Sequence, residues 1–266
     1  MKTLLSTIVL SVLAYTSFAT PQTKSNKKTE PIVLIHGAWT DASSWDAVVP
    51  SLKAHGHEVI VVNLAGHGKD TTSFATITFQ TYVDQVKAAI GSRTHVILVG
   101  HSFAGMVISQ VAEEIPTQIK ELIYLAAALP RDGDSLLGLA KQDSASHIGK
   151  YLTIDEPHGA AIIAKNGAAD VFAADAPQNV QDYIAANIKP EPLSPLATPV
   201  HLTEKNFGSI RKVYIHTLND HAISYPAQQY MVSAGKVAKE YSLPSSHAPF
   251  ISMPDKLAAI LLAEGK

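Results

Sequence analysis

The segment HVILVGHSFAG, residues 95–105, contains the strongest local motif in the sequence. An apolar run typical of a buried strand leads through a tight turn into residues 103–114, which have the apolar spacing of a helix. A serine in such a turn, here Ser102, forms a nucleophile elbow, which requires small neighbouring residues and places the hydroxyl at a helix N-terminus. Backbone N–H groups favour developing negative charge there. The usual pattern is G-x-S-x-G, whereas here Ala104 takes the last position and Gly105 follows it.

Similar apolar segments lie on both sides of this stretch. Segments without polar alternation are typical of parallel strands that are covered on both faces. The helix-like stretches between them end near Gly or Pro, where a helix should stop. The alternation predicts the α/β class, with a doubly wound and mostly parallel sheet. The strand-like segments are residues 32–35, 58–64, 95–99, 121–128, 212–215 and 239–243, and the helical ones are 44–54, 78–90, 103–114, 226–234 and 254–264.

The alternation fails once, at about residues 131–210. This part is rich in Ala, Asp, Pro and Gly and has only short helical patterns, such as residues 176–188. Because so long an insertion in a compact domain is usually functional, we expect a cap over the active site. A disordered insert is the alternative, but the segment offers apolar surface that can pack, at Tyr151, Ile154, Val171, Phe172, Tyr183 and Ile184.

Composition limits the classes of function. The 266 residues carry a net charge of −2, and basic residues are scattered apart from a short cluster at Lys24, Lys27 and Lys28, so a nucleic-acid surface is not expected. The chain has no cysteine, which excludes disulfides, thiolate metal sites and a thiol nucleophile. Residues 31–266 are enough for one α/β domain with a well-buried core.

The first residues resemble a secretory signal peptide. A lysine at position 2 is followed by an apolar run over residues 4–13 and by a small-x-small cleavage pattern ending at Ala19. We expect residues 1–19 to be removed and residues 20–30 to form a flexible linker. The expected location is the periplasm or the medium. No membrane anchor should remain after cleavage, because polar residues interrupt the apolar run before about 20 residues.

A serine nucleophile needs a histidine base and a carboxylate that orients the base. In a strand–elbow–helix arrangement of this kind the chain order is serine, acid, histidine. His247 is the only histidine after the last strand-like segment, so we expect His247 to be the base for Ser102. Asp220 follows a buried strand and is the favoured acid, but Asp132 and Asp134 also satisfy the order and stay open.

The tetrahedral oxyanion of acyl transfer needs two backbone N–H donors. One should come from Phe103, directly after the serine. The second should come from Ala38, in the His36-Gly37-Ala38 turn that follows the first core strand. His36, His67 and His101 each adjoin a glycine and lack zinc-binding spacing, so we expect no metal and no cofactor.

These motifs together resemble the α/β-hydrolase superfamily, in the branch that holds plant methylesterases, hydroxynitrile lyases and bacterial small-ester esterases. The resemblance implies a serine esterase acting on small-molecule esters, with Ser102, Asp220 and His247 as the triad and Ala38 and Phe103 as oxyanion donors. The residues that carry it are His36-Gly37-Ala38 with Trp45, Gly100 to Gly105, Val213-Tyr214-Ile215 leading to Asp220 and Ile223, and Ser246-His247-Ala248-Pro249-Phe250.

Two alternatives remain within the resemblance. Lyases of this branch keep a threonine after the first strand and a lysine after the catalytic histidine, where this chain has Ala38 and Ala248, so hydrolysis is favoured. A ligand-binding protein on the same fold, with little or no turnover, is the other alternative. The sequence does not indicate an oligomeric state or an acyl-chain preference.

Overall fold

The structure is a computed structural model that describes residues 29–265. The expected signal peptide lies outside the described residues, as does the linker up to residue 28, so both remain predictions. Thr29, near the end of the expected linker, donates a hydrogen bond from Oγ1 to the Gly56 carbonyl oxygen at 2.6 Å. Between residues 29 and 265, no helix has the length and apolar character needed to span a bilayer.

Strands and helices alternate along most of the described chain. The strands are β1 (Ile32–Ile35), β2 (Val59–Val62), β3 (Val96–His101), β4 (Ile119–Leu125), β5 (Leu152–Asp155), β6 (Ala160–Ile163), β7 (Glu191–Pro192), β8 (Arg211–Thr217) and β9 (Lys239–Leu243). The α-helices are α1 (Val49–Ala54), α2 (Phe79–Ile90), α3 (Ala104–Glu114), α4 (Leu136–Ala140), α5 (Ile148–Tyr151), α6 (Lys165–Ala173), α7 (Gln178–Asn187), α8 (Leu193–Ala197), α9 (Tyr225–Ala234), α10 (Pro249–Ser252) and α11 (Pro254–Glu264). Short 3₁₀ turns lie at Ala42–Trp45, Phe74–Thr76, Pro116–Gln118, Glu156–His158 and Phe207–Ser209.

Six strands form the main sheet in the order β2-β1-β3-β4-β8-β9, and every neighbouring pair is parallel. Alternate residues of β1 face opposite layers. Val33 and Ile35 pack in the cluster that contains α2 and α3, whereas Ile32 and Leu34 pack in the cluster that contains α1 and α11. Helices therefore cover both faces, and the predicted doubly wound parallel sheet is confirmed.

The interruption between β4 and β8 is an inserted cap, as predicted. The cap holds α4 to α8 and a separate three-stranded antiparallel sheet in the order β5-β6-β7. This small sheet was not anticipated from the sequence. A 3₁₀ turn that ends at Gly159, with φ 62°, joins β5 to β6 and sets Ile154 opposite Ala161. Strands of two to four residues leave no readable periodicity.

Candidate active site

The carboxyl ends of β1, β3, β8 and β9 meet at one edge of the main sheet, and each is followed by a residue that the sequence analysis selected. The turn between β3 and α3 holds Ser102 at φ 55°, the left-handed conformation of a strained elbow. A Cβ on Gly100 would lie 2.8 Å from the Ala104 carbonyl oxygen, and one on Gly105 would overlap the Ala128 carbonyl oxygen. Close packing therefore requires Gly100 and Gly105, while the fully buried Ala104 is accommodated in the last position of the usual pattern.

The hydroxyl of Ser102 opens into a cavity of about 340 Å³. Ser102 is 9% exposed, and its Oγ makes no hydrogen bond to any residue between 29 and 265. The cavity walls are mainly apolar and come from the cap, the loop after β8, and α9. Among them are Leu136, Leu137, Leu139, Ala140, Ile148, Leu152, Leu196, Ile223, Ala227 and Met231.

His247 and Asp220 form a buried hydrogen-bonded pair. Asp220 Oδ2 lies 2.8 Å from His247 Nδ1, and both side chains are almost inaccessible to solvent. The carboxylate is itself fixed, since Oδ1 accepts from the N–H groups of Ala222 and Ile223 at 2.7 and 3.0 Å and Oδ2 accepts from Thr217 Oγ1 at 2.6 Å. Because a carboxylate can only accept, Nδ1 carries the proton, and in the neutral ring Nε2 therefore keeps its lone pair.

The free nitrogen of His247 has no partner. Nε2 is buried, and no described residue forms a hydrogen bond with it, Ser102 included. The two residues are linked through His101, which precedes the serine: its ring centroid lies 4.6 Å from that of His247, and its Nε2 donates to the His247 carbonyl oxygen at 2.9 Å. Burial, more than the nearby His247, holds the pKa of His101 well below its usual range. Nucleophile and base often reach hydrogen-bonding distance only when substrate is bound.

The rival acids lie elsewhere. Asp132 Oδ1 accepts from the Leu202 N–H at 2.9 Å, and Asp134 Oδ2 accepts from the Arg131 N–H at 2.8 Å. Both carboxylates thus fix the turn where the cap leaves and rejoins the main domain. Neither has a hydrogen bond to His247, so the geometry favours Asp220.

The loop after β1 packs against the elbow. A Cβ on Gly37 would lie 2.8 Å from Ser102 Cβ, so only glycine permits this approach. Across residues 29–265, the N–H groups of Ala38 and Phe103 donate to no other residue, which leaves both free for a ligand oxygen. The neighbouring His36 fixes the loop by donating from Nδ1 to the Gly37 carbonyl oxygen, at 2.8 Å. Burial lowers the pKa of His36 to about 3, so this ring is neutral.

Sequence reasoning missed Glu191, a fully buried carboxylate on cap strand β7. Its Oε2 accepts from the Trp39 N–H at 2.8 Å and lies 2.7 Å from His67 Nε2. Trp39 directly follows Ala38 and has φ 59°, a costly conformation for a tryptophan. Its indole Nε1 also donates to the Ala161 carbonyl oxygen of β6 at 2.9 Å. The cap is therefore fastened to the loop that carries one of the expected oxyanion donors.

His67 completes a buried ion pair. Burial is the largest single influence and disfavours the imidazolium, but the Glu191 carboxylate together with the Ala65 and Leu64 backbone contacts outweighs it, so the pKa of His67 is raised. In the sequence His67 is a turn residue between two glycines, and its partner lies 124 positions away, so no local pattern joins them. The His67 and His36 rings are 4.8 Å apart, yet all four ring nitrogens have protein partners, and this pair is therefore not a metal site.

Comparison with known proteins agrees with this architecture. Residues 32–260 match the model of a family described as the alpha/beta hydrolase family. The chain is 30% identical over 248 residues to putative methylesterase 13, chloroplastic, of Arabidopsis thaliana, which covers 88% of this chain and 56% of that protein. It is 32% identical over 238 residues to a pyrethroid hydrolase of Sphingobium wenxiniae, covering 85% of this chain and 84% of the relative.

A solved structure shows that the similarity extends to the three-dimensional fold. The crystal structure of a pyrethroid hydrolase from Sphingobium faniae superposes with a TM-score of 0.79 and 27% identity, covering 89% of this chain and 97% of that one. The chain thus spans about half the length of the Arabidopsis relative but nearly the whole of the bacterial structure.

Proposed function

The chain belongs to the alpha/beta hydrolase family, and from this we propose that it hydrolyses small carboxylic esters with Ser102 as the nucleophile. The observation that carries the proposal is the Asp220–His247 pair at 2.8 Å. This pair leaves one imidazole nitrogen without a partner, and the neighbouring elbow holds a serine hydroxyl in an open cavity. A methylesterase and pyrethroid hydrolases among the similar proteins agree with ester cleavage.

The proposed reaction has two steps. In the first, His247 Nε2 takes the hydroxyl proton of Ser102 while Oγ attacks the ester carbonyl, and Asp220 stabilises the imidazolium. The N–H groups of Ala38 and Phe103 donate to the oxyanion. The imidazolium then protonates the departing alkoxide, which leaves as an alcohol and gives an acyl-serine. In the second step His247 takes a proton from a water that attacks the acyl-serine, and it returns this proton to Ser102 Oγ as the acyl–oxygen bond breaks and the carboxylic acid leaves.

The cavity walls support a substrate class. Ser102 lines the apolar cavity of about 340 Å³, so we place the acyl group there. A second cavity, of about 500 Å³, is lined by His247, Phe172 and residues of α7, and Trp39 borders both cavities. Because His247 protonates the leaving oxygen, we place the alcohol portion on that side. The favoured substrate is therefore a neutral ester with an apolar acyl group and a sizeable alcohol.

Cyanohydrin cleavage is disfavoured at the same site. The resembling lyases use a threonine hydroxyl and a lysine ammonium, and this chain has methyl groups at those positions. Ala38 and Ala248 are both buried, at 4% and 5% exposure. Solvent therefore has little access to the positions where the lyases have their hydroxyl and ammonium groups.

The test is hydrolysis of a panel of p-nitrophenyl esters by the wild type, Ser102→Ala and the control Ser233→Ala. The control removes an exposed hydroxyl on α9 that bonds only its own helix, at the Tyr230 carbonyl oxygen. We expect Ser102→Ala to lower kcat on the order of 10⁵-fold and the control to have no effect. Near-normal turnover by Ser102→Ala would refute the assignment. One equivalent of p-nitrophenol without further turnover would indicate the ligand-binding alternative.

A further inference from the structure

A cluster of three potential metal ligands lies outside the proposed triad. His147 precedes α5, Asp170 lies on α6, and His221 directly follows Asp220. The Nδ1 atoms of His147 and His221 each lie 2.9 Å from a carboxylate oxygen of Asp170, a different oxygen for each ring. The three ligand atoms lie within 4.8 Å of one another, and residues 29–265 contain no other such group.

We propose that His147, Asp170 and His221 bind a divalent cation of the zinc class at the joint between the cap and the acid-bearing loop. Two imidazole nitrogens and a carboxylate oxygen are donors that zinc accepts in a tetrahedral site, with a water in the fourth position. The three side chains are 27%, 32% and 36% exposed, so a cation can enter from solvent and keep its water.

The backbone already holds the ligands together. The His147 N–H donates to the His221 carbonyl oxygen at 2.7 Å, and the two imidazole centroids are 4.2 Å apart. One residue to either side, Ser146 Oγ donates to the Ala222 carbonyl oxygen at 2.7 Å. These bonds fix cap and loop before any cation arrives, so binding has to order few groups.

Coordination requires the three ligand atoms to converge on one point, although each ring now faces a different oxygen of Asp170. With metal–ligand bonds of about 2.0–2.1 Å, tetrahedral ligands stand about 3.3 Å apart. The nitrogen–oxygen distances of 2.9 Å would therefore open by a few tenths of an ångström. The widest pair of ligand atoms, which lie within 4.8 Å of one another, would have to close by up to about 1.5 Å. Each Nδ1 must give up its proton, and each ring can carry that proton on Nε2 instead, in exchange with solvent. His221 Nδ1 would also give up its 3.1 Å contact with the Asp170 carbonyl oxygen, and the Asp170 carboxylate accepts a further hydrogen bond from the Tyr151 hydroxyl.

The experiment is calorimetric titration of chelator-treated protein with ZnCl₂, repeated with Asp170→Asn, His221→Ala and His158→Ala. The last is a matched control, because His158 Nδ1 pairs with Asp155 at 2.8 Å in the same cap but has no third ligand. We expect one zinc per chain. We expect at least a tenfold weaker Kd in Asp170→Asn and His221→Ala, and no change in His158→Ala. Wild-type binding in Asp170→Asn, or no zinc uptake by the wild type at 100-fold excess, would overturn the proposal.

Two further measurements keep the result independent of folding and of catalysis. Cobalt absorption reports a tetrahedral site directly, and zinc at a hundred times its Kd should raise the Tm of the wild type by about 5–10 °C. That rise should vanish in Asp170→Asn, and circular dichroism without zinc would show whether the variant is folded. Ser102→Ala should bind zinc like the wild type, so a failed esterase assignment would leave this site unaffected.

Discussion

Glu191→Gln is the substitution that most directly tests how the cap supports the proposed oxyanion loop. The amide oxygen of glutamine can still accept from the Trp39 N–H, so the backbone bond at 2.8 Å has a replacement. The charge is lost, however, and His67 stays behind with a side chain only 4% exposed. The variant therefore removes the negative charge of a buried ion pair while it keeps an acceptor for the Trp39 N–H.

The expected cost follows from that burial. Removing one member of a buried ion pair typically costs about 3–5 kcal/mol, because the other charge is left without compensation. Since the Trp39 hydrogen bond is retained and His67 can lose its proton, we expect the lower end, about 3 kcal/mol. For a domain of this size, 1 kcal/mol corresponds to about 2–4 °C, so the Tm should fall by about 6–12 °C.

The loss of stability in Glu191→Gln should be larger at low pH than at high pH. The Glu191 carboxylate raises the pKa of His67 against the opposing effect of burial, so the folded state binds the proton more tightly than the unfolded state. The stability gained from the pair is then fully present below about pH 6.5, the unfolded value, and is lost as pH rises through the raised folded value. The Tm difference between wild type and Glu191→Gln should be largest near pH 6 and smaller at pH 9.

The assay is thermal unfolding from pH 6 to 9, with Glu240→Gln as the matched control. Glu240 also pairs with a buried histidine, His216 at 2.9 Å, but the glutamate side chain is 55% exposed, so its loss should cost at most about 1 kcal/mol. We also expect kcat for ester hydrolysis to fall about tenfold, since Ala38 precedes the loosened Trp39. A Tm change below 2 °C at pH 6, or one equal to that of the control, would contradict this account of the buried pair.

Three further substitutions probe the triad, the elbow and the acyl cavity. Asp220→Asn should lower kcat about 10⁴-fold in steady-state kinetics, because the amide can impose the wrong tautomer on His247; a loss below tenfold would exclude Asp220 as the acid. Gly105→Ala should destabilise the protein by about 1–3 kcal/mol in urea unfolding, since its methyl group would overlap the Ala128 carbonyl oxygen; an unchanged midpoint would refute that reading. Leu137→Trp should reduce the acyl cavity, so kcat/KM for long-chain p-nitrophenyl esters should fall while that for acetate is retained; equal losses for both would place the acyl group elsewhere.

Much of the main sheet could be predicted because its strands are buried on both faces and therefore read as apolar runs. Predicted and observed bounds coincide for β1 and β9 and differ by a few residues elsewhere. The stretch predicted as helix over 44–54 is a 3₁₀ turn, Ala42–Trp45, followed by a shorter helix that begins at Val49 next to Pro50. The cap sheet was missed, because its short strands have neither enough length nor a consistent polar face.

The candidate site was predictable to a different extent. Chain order and strand ends placed Ser102, Asp220 and His247 at one sheet edge, and the structure brings Asp220 and His247 into contact. Their catalytic roles remain a prediction. Glu191 gave no sequence signal, since it lies between two prolines in a segment without periodicity, and its partners come from two distant loops. Contacts of this kind depend on how the cap folds back, which local patterns do not encode.

Two unlike histidine–carboxylate joints are among the contacts between the cap and the main domain. Glu191 and His67 are buried, so salt screens their interaction little. Separating the pair would leave a buried charge with neither a partner nor solvation by water. Asp170 and His221 are about one-third exposed, so solvent and salt can replace their contact at low cost. Of these two side-chain pairs, Asp170–His221 should therefore be the more sensitive to salt. A cation at the exposed joint would add its binding energy to the weaker of the two pairs, and so would strengthen the link between the cap and the loop that carries Asp220.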